Sequence, residues 1–498
     1  MWQMTKLINR PQYLNQLIQH KDVDLVKIVT GIRRCGKSSL LDLLHQYLLD
    51  HGVPESRIIH MNMESLRYRK LTDYLAFYDH VSAQLAHGPS KAQSDAISED
   101  LAKGQSDALS DDLAKSQSDG FAHGHKTYLI FDELQAVEHW EKAIESFRID
   151  FNVDIYITGF NAYLLSTEFA TMLSGRFVEI KMLPLSFSEF LKFYDFASDL
   201  SLEQIFQRFL QFGGMPVLRE YRFNEPRSMQ ALEGIYSTVV LRDVLQRNPG
   251  ADQATLQKIM LFLCSNIGSI TSPNSMGKSL SNEGDIPMGK QKSVSGPSMA
   301  GKTVAGKSVA GQSVAGKTVA GKTVDKYISM LLNALVFFQV GRYDVKGKQL
   351  LKTLGKYYIS DLGLRNMLLG YRDADTVQDG DADRNADWNA DRDGDWDADR
   401  GHILENVVFL ELLRRDYRVY IGKVNEFKVD FVAEKPDNKV YIQVTESMQV
   451  PETRNRELRP LCMIPDNYEK IVLSMDRNFI TSYNGIKSLN LIDWLLEK

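Results

Sequence analysis

The chain has 498 residues, of which 43% are hydrophobic and 25% charged, with a formal net charge of −5. This length suits two to four domains of roughly 100–200 residues, and the composition excludes a wholly disordered, collagen-like or coiled-coil chain. The negative balance leaves any nucleic-acid contact to a local basic patch.

No apolar run approaches the roughly 18–20 residues that cross a bilayer. The first residues, MWQMTKLINR, carry no apolar core and no small-residue cleavage site. Three scattered cysteines, Cys35, Cys264 and Cys462, suit a reducing cytosol and build no disulfide framework. A cytoplasmic protein without a membrane partner is expected.

The first strong signal is LVKIVT, Leu25 to Thr30, a β-branched run that reads as a buried strand. It leads into Gly31-Ile32-Arg33-Arg34-Cys35-Gly36-Lys37-Ser38-Ser39 and then into leucines at helical spacing through Leu48. Strand, glycine loop and helix form the context of a phosphate-binding loop. Gly31 and Gly36 permit tight turns, Lys37 reaches the β- and γ-phosphates, and Ser38 holds magnesium. ATP and magnesium are the expected cofactors, with residues 31 and 33–39 around the phosphates.

From about Gly88 to His125 a twelve-residue repeat predicts a solvated insertion. Next, Tyr128-Leu129-Ile130-Phe131 predicts a strand that ends in Asp132 and Glu133, where open α/β sheets place ligands. Asp132 suits the magnesium shell, and Glu133 suits a general base for water. A third strand, Val153 to Gly159, makes Thr158 and Asn161 alternative sensors of the γ-phosphate. Arg176, before a strand over Phe177 to Ile180, suits either an arginine finger for a neighbouring subunit or a surface ion pair.

GIRRCGKSSLL, YLIFDELQ, the run YITGFNAYLLSTEFATMLSGRFVEIKMLPLSFSEFLKF and the later FGGMP together carry a family resemblance. The chain resembles prokaryotic AAA-type ATPases whose C-terminal part is a domain of unknown function related to restriction-endonuclease folds. The resemblance implies an ATPase and supports Arg176 as a finger, because SGR is a family signature. At the position usually held by serine this chain has Phe160.

Thr255 to Ile267 and Val324 to Leu335 then predict helices, and Phe337 to Tyr343 and Lys356 to Ser360 predict strands. That order is a winged helix. Arg342, Lys346, Lys348, Lys352 and Lys356 crowd its wing and suit DNA phosphates, although winged helices also mediate protein contacts. Between the two helices, about Ser272 to Val324, lie five AGKTV-like pentapeptides. Their phosphate-loop matches at Gly296, Gly301, Gly311 and Gly316 follow no apolar strand and read as accidental. Arg372 to Arg400 holds eleven aspartates and reads as a solvated acidic linker.

The last region begins with a helix over His402 to Leu413. Strands follow over Arg418 to Ile421, Phe427 to Val432 and Val440 to Thr445. A helical Glu405, a strand Asp430 and the pair Gln443 and Thr445 resemble a PD-(D/E)xK nuclease core, in which acids hold magnesium and a lysine assists water. Gln443-Val444-Thr445 stands where Glu-x-Lys belongs, so the region reads as an inactive scaffold.

The expected fold is α/β. An AAA-type P-loop three-layer domain fills 1–195, followed by a helical lid or linker over 196–250. A winged helix over 251–371, the acidic linker 372–400 and a nuclease-like domain over 401–498 complete the chain. The expected activity is ATP hydrolysis coupled to an unidentified protein or DNA partner, in a homo-oligomer if the finger acts in trans. The alternatives are a nucleic-acid-binding protein with ATP as a switch, and an active nuclease.

Overall fold

The computed structural model describes residues 7, 9–87, 126–159, 175–194, 196, 200–282, 321–371, 386–477 and 480–497. The twelve-residue repeat, the glycines at 296, 301, 311 and 316, and Asn161 lie outside these residues. Two compact units make up the chain: Met1–Leu200 with Gly214–Ala231 and Asn333–Leu335, and Ser201–Gly213 with Leu232–Leu332 and Val336–Lys498. Among the described residues no helix is long and apolar enough to cross a membrane.

The first unit starts with α1 (Pro11–Gln19), β1 (Val26–Thr30), α2 (Lys37–Asp50), β2 (Ile58–Asn62) and α3 (Tyr74–His87). It continues through β3 (Thr127–Asp132), α4 (Trp140–Asp150), β4 (Val153–Thr158), β5 (Phe177–Lys181) and α5 (Phe187–Phe193). The five strands form one sheet in the order β2-β3-β4-β1-β5, and every pairing is parallel. Both faces are covered, which explains the near-continuous apolar runs in β1 and β3. Val26, Ile28, Leu129, Phe131 and Ile157 pack with Phe77, Ile144 and Phe147 in one core.

One consequence of the strand order is decisive for the site. β4 lies between β1 and β3. The loop after β1, the end of β4 and the acids at the end of β3 therefore emerge side by side at the carboxyl edge. Arg176 precedes β5, which runs parallel to β1 with Val26 opposite Phe177. It sits at the other edge of the sheet, five strand residues away from Thr30.

The same sheet buries a charge pair. Lys27 on β1 is 0% exposed and its ammonium bonds Asp154 on β4, which is 1% exposed. Tyr156 and the backbone amide of Asp22 each donate to the second carboxylate oxygen at 2.9 Å.

The second unit contains α6 (Leu202–Phe212), part of α7 (Glu225–Thr238), α8 (Gln253–Ser265), β6 (Ile270–Thr271), α9 (Pro273–Asn282) and α10 (Gly321–Asn333). Then come β7 (Phe337–Asp344), β8 (Gln349–Ile359), α11 (Leu362–Leu369), α12 (Ala386–Arg414), β9 (Arg418–Val424), β10 (Phe427–Lys435) and β11 (Asn438–Val444). It closes with α13 (Pro451–Cys462), β12 (Glu469–Ser474), β13 (Ser482–Tyr483), β14 (Ile486–Asn490) and α14 (Leu491–Leu496).

Nine strands form one sheet in the order β13-β14-β12-β11-β10-β9-β7-β8-β6. The β7–β8 hairpin is not a free wing, because β7 pairs with β9 over Arg342–Asp344. The expected break between 251–371 and 401–498 is therefore absent: both stretches share one sheet within one unit. The acidic tract is helical from Ala386, where α12 begins. Ile403 to Leu412 of this helix are all buried, and Asp399 on it pairs with the fully buried Arg365.

Candidate nucleotide site

The loop between β1 and α2 has the backbone that a phosphate site requires. Gly36 sits at φ +104° directly before α2, a conformation that favours glycine. Gly31 is required for another reason: a Cβ there would lie 2.3 Å from the carbonyl oxygen of Met182. No side chain caps the start of α2, which leaves its amides for an anion. Lys37 is 4% exposed and folds back, donating to the carbonyls of Gly31 at 3.0 Å and Ile32 at 3.3 Å. Ser38, Ser39 and Arg34 are exposed, whereas Cys35 is buried, and burial pushes its thiol up. Arg33 lies 3.5 Å from Glu64.

A buried arginine supports this loop from the N-terminal segment. Arg10 donates to the carbonyl of Cys35 at 3.1 Å and of Leu183 at 3.0 Å, and grips Glu189 with two further bonds.

Asp132 and Glu133 are 2% and 8% exposed at the end of β3. The Thr158 hydroxyl donates to Asp132 Oδ1 and accepts the Glu133 amide at 3.0 Å. Asn62 Nδ2, at the end of β2, donates to Asp132 Oδ2 at 2.8 Å. Glu133 adopts φ +55°, and Gln135 donates to its carboxylate. Thr158 is thus engaged in orienting the two acids. Of the two sensor candidates it is the one described, since Asn161 lies outside the described residues.

The donor set fits magnesium held with a nucleotide's phosphates: an exposed serine hydroxyl at the helix start, and a carboxylate fixed by two neighbours. Among the described residues no three acids, histidines or cysteines gather as a metal cage, so the protein offers part of a shell and phosphate oxygens would complete it. Asn62, Gln135 and Arg10 did not stand out in the sequence. A polar residue closing an apolar strand, as Asn62 closes Ile58–Asn62, is the one local signal that points to any of them.

Arg176 is 58% exposed and lies 4.0 Å from the Glu145 carboxylate. It lies at the sheet edge opposite the phosphate loop.

The wing candidates separate. Arg342 is half-buried on β7, and Lys346 and Lys348 are exposed in the hairpin turn. Lys352 belongs to β8, with its side chain outside the described part. Lys356 does not belong to a phosphate-contacting surface. It is 5% exposed, and its ammonium bonds Glu405 and lies 3.5 Å from Asp430. The strand extends back to Gln349, so Lys356 is mid-strand and faces inward.

The structure gathers Glu405, Asp430 and Gln443 and leaves Thr445 aside. Asp430 occupies a register shift between Val429 and Val432 on β10, a bulge that re-aims its side chain. Its Oδ2 accepts the Val444 amide at 3.0 Å, and its own amide donates to Gln443 Oε1 at 3.3 Å. Gln443 Nε2 donates to Glu457 on α13 at 2.8 Å. The Thr445 hydroxyl donates to the Ser447 carbonyl at 3.4 Å. Burial pushes Glu405 up to about 7, with Asp430 reinforcing the shift and Lys356 opposing it.

An AAA domain model matches residues 24–191, and a domain of unknown function (DUF8612) matches residues 203–375. An uncharacterized protein of Haemophilus influenzae is 33% identical over 492 residues, covering 99% of both chains. One from Methanocaldococcus jannaschii is 25% identical over 334 residues, 64% of this chain and 60% of its own. Among solved structures, a Walker-type ATPase of Pyrococcus abyssi has a TM-score of 0.44 at 14% identity, covering 72% of this chain and 95% of that one. The Orc1 protein of Aeropyrum pernix, solved in complex with DNA, has a TM-score of 0.26 at 12% identity, covering 73% and 92%. Likenesses this distant carry no argument about function. The full-length match does settle kinship: the chain belongs to one family with the Haemophilus influenzae protein, and the stretch that matches an AAA domain precedes the one that matches a domain of unknown function.

Proposed function

We propose that this chain binds and hydrolyses ATP, by attack of water on the γ-phosphate, and couples the reaction to a protein or DNA partner. The observation that carries the reading is one edge of one sheet. There a glycine-shaped phosphate loop, an uncapped helix start and two oriented carboxylates emerge from β1, α2 and β3. Ser38 and Asp132 would hold magnesium, which neutralises charge on the phosphate oxygens. Lys37 exchanges its two carbonyl partners for phosphate oxygens. Glu133 turns from Gln135 to a water and takes its proton. Arg176, at the far edge, acts only on a neighbour's nucleotide, so this role requires a homo-oligomer.

The helix–strand–helix–helix–hairpin order of α8 to β8 supports a winged helix. Arg342, Lys346, Lys348 and Lys352 remain its candidates for DNA phosphates.

The test is phosphate release by wild type, Lys37→Ala and Glu133→Gln, with and without single- and double-stranded DNA. Turnover in wild type that both variants lose supports the reading. Stimulation by DNA identifies the partner class, and wild type without turnover refutes hydrolysis. The hydrogen bond that ties Glu133 to Gln135 favours a second reading, ATP as a conformational switch on nucleic acid. That reading predicts nucleotide-dependent DNA retention without turnover.

A further inference from the structure

The nuclease-like arrangement of Glu405, Asp430 and Gln443 implies a divalent cation, and the residues do not fit one. Magnesium needs a near-octahedral set of oxygens at roughly 2.0–2.1 Å. Here Glu405 Oε1 accepts from both Lys356 and the Tyr358 hydroxyl. One oxygen of Asp430 takes the Val444 amide, and the other faces Lys356. Gln443 is occupied at both ends, by the Asp430 amide and by Glu457. The backbone also closes in: a Cβ on Gly268 would lie 3.2 Å from Glu405 Oε2 and 3.0 Å from His402 Cδ2.

We infer that the Lys356 ammonium replaces the divalent cation between Glu405 and Asp430, so that this region assembles around an in-chain charge and carries out no metal-dependent hydrolysis. Two buried carboxylates drawn together need a counter-charge, and leaving one uncompensated is costly. A lysine on β8 supplies it within the fold, at the price of one positive charge where a metal brings two. Lys356 is held charged because Glu405 and Asp430 outweigh the effect of burial. The same lysine fills the space a cation would occupy, so the acids are preserved and the metal is shut out. The acids are thus paired with a cation although Thr445 stands where a lysine would be.

The experiment is a Mn²⁺ titration of the nucleotide-free full-length protein, followed by electron paramagnetic resonance, for wild type, Asp430→Asn, Lys356→Ala, Lys356→Met and Lys356→Ala with Asp430→Asn. Thermal unfolding with and without Mn²⁺ runs alongside. Wild type is expected to bind no cation that Asp430→Asn removes. Lys356→Ala gains one equivalent and an upward shift in unfolding temperature with Mn²⁺, and the double variant loses both. Lys356→Met keeps the filling stem without the charge, and is expected to gain stability from Mn²⁺ less than Lys356→Ala. A wild-type site lost on Asp430→Asn overturns the inference, as does Mg²⁺-dependent DNA cleavage lost on that change. Folded Lys356→Ala that binds no cation also overturns it. The readouts need no ATP turnover, so they are independent of the proposed hydrolysis.

Discussion

Replacing Thr158 with valine tests how the two acids of the nucleotide site are held. The side chain is 0% exposed, so no water substitutes for its hydroxyl. Valine keeps the shape and removes two bonds. One runs to the Asp132 carboxylate, worth about 1.5–3 kcal/mol as a bond to a charged group, and the other comes from the Glu133 amide, worth about 0.5–1.5 kcal/mol. The expected loss of stability is about 2–4.5 kcal/mol, read from urea unfolding. The phosphate loop is untouched, so nucleotide affinity should hold while turnover falls, because Glu133 loses the bond that fixes its backbone. Thr158→Ser restores the hydroxyl and should recover turnover. A Thr158→Val protein within about 0.5 kcal/mol of wild type would show that the bridge holds nothing.

Lys27→Met should cost about 3–5 kcal/mol, because it leaves Asp154 charged and buried with only neutral donors; adding Asp154→Leu should recover part of the loss, and purely additive costs would refute the coupling. A pH effect is expected around His60, whose Nδ1 lies 3.1 Å from His45 Nδ1. Burial lowers its pKa, His45 lowers it further, and Asp42 and Asp132 oppose them. The unfolded chain therefore takes the proton first. Stability conferred by neutral His60 is complete above the ordinary value of about 6.5 and declines as pH falls below it. Urea unfolding at pH about 7.5 and about 5.5 should show the decline in wild type and less of it in His60→Gln; equal slopes would remove His60 as the cause.

The phosphate loop was legible because everything that makes it is contiguous. A β-branched strand, two glycines and an amphipathic helix are local patterns, and local sterics decide them. Asp132 and Glu133 were legible for the same reason, as polar residues closing an apolar strand. Their partners were not. Thr158 lies between the acids and the loop because β4 inserts between β1 and β3, and strand order is set by how helices cover both faces of the sheet, not by any one segment. Asn62 reaches Asp132 across 70 residues of chain for that reason.

The C-terminal half shows the limit more sharply. Spacing placed Lys356 in a basic wing, since the lysines before it are close in sequence. A strand points alternate side chains to opposite faces, and the residues packed against each face decide which lysine is drawn inward. Glu405 and Asp430 lie 49 and 74 residues away. The sequence alone determined that this chain carries a nucleotide loop, two acids beside it and a nuclease-like pattern without its lysine. Only the tertiary structure decided that a different lysine joins those acids, because the attraction between buried charges acts across space and leaves no periodicity in the chain.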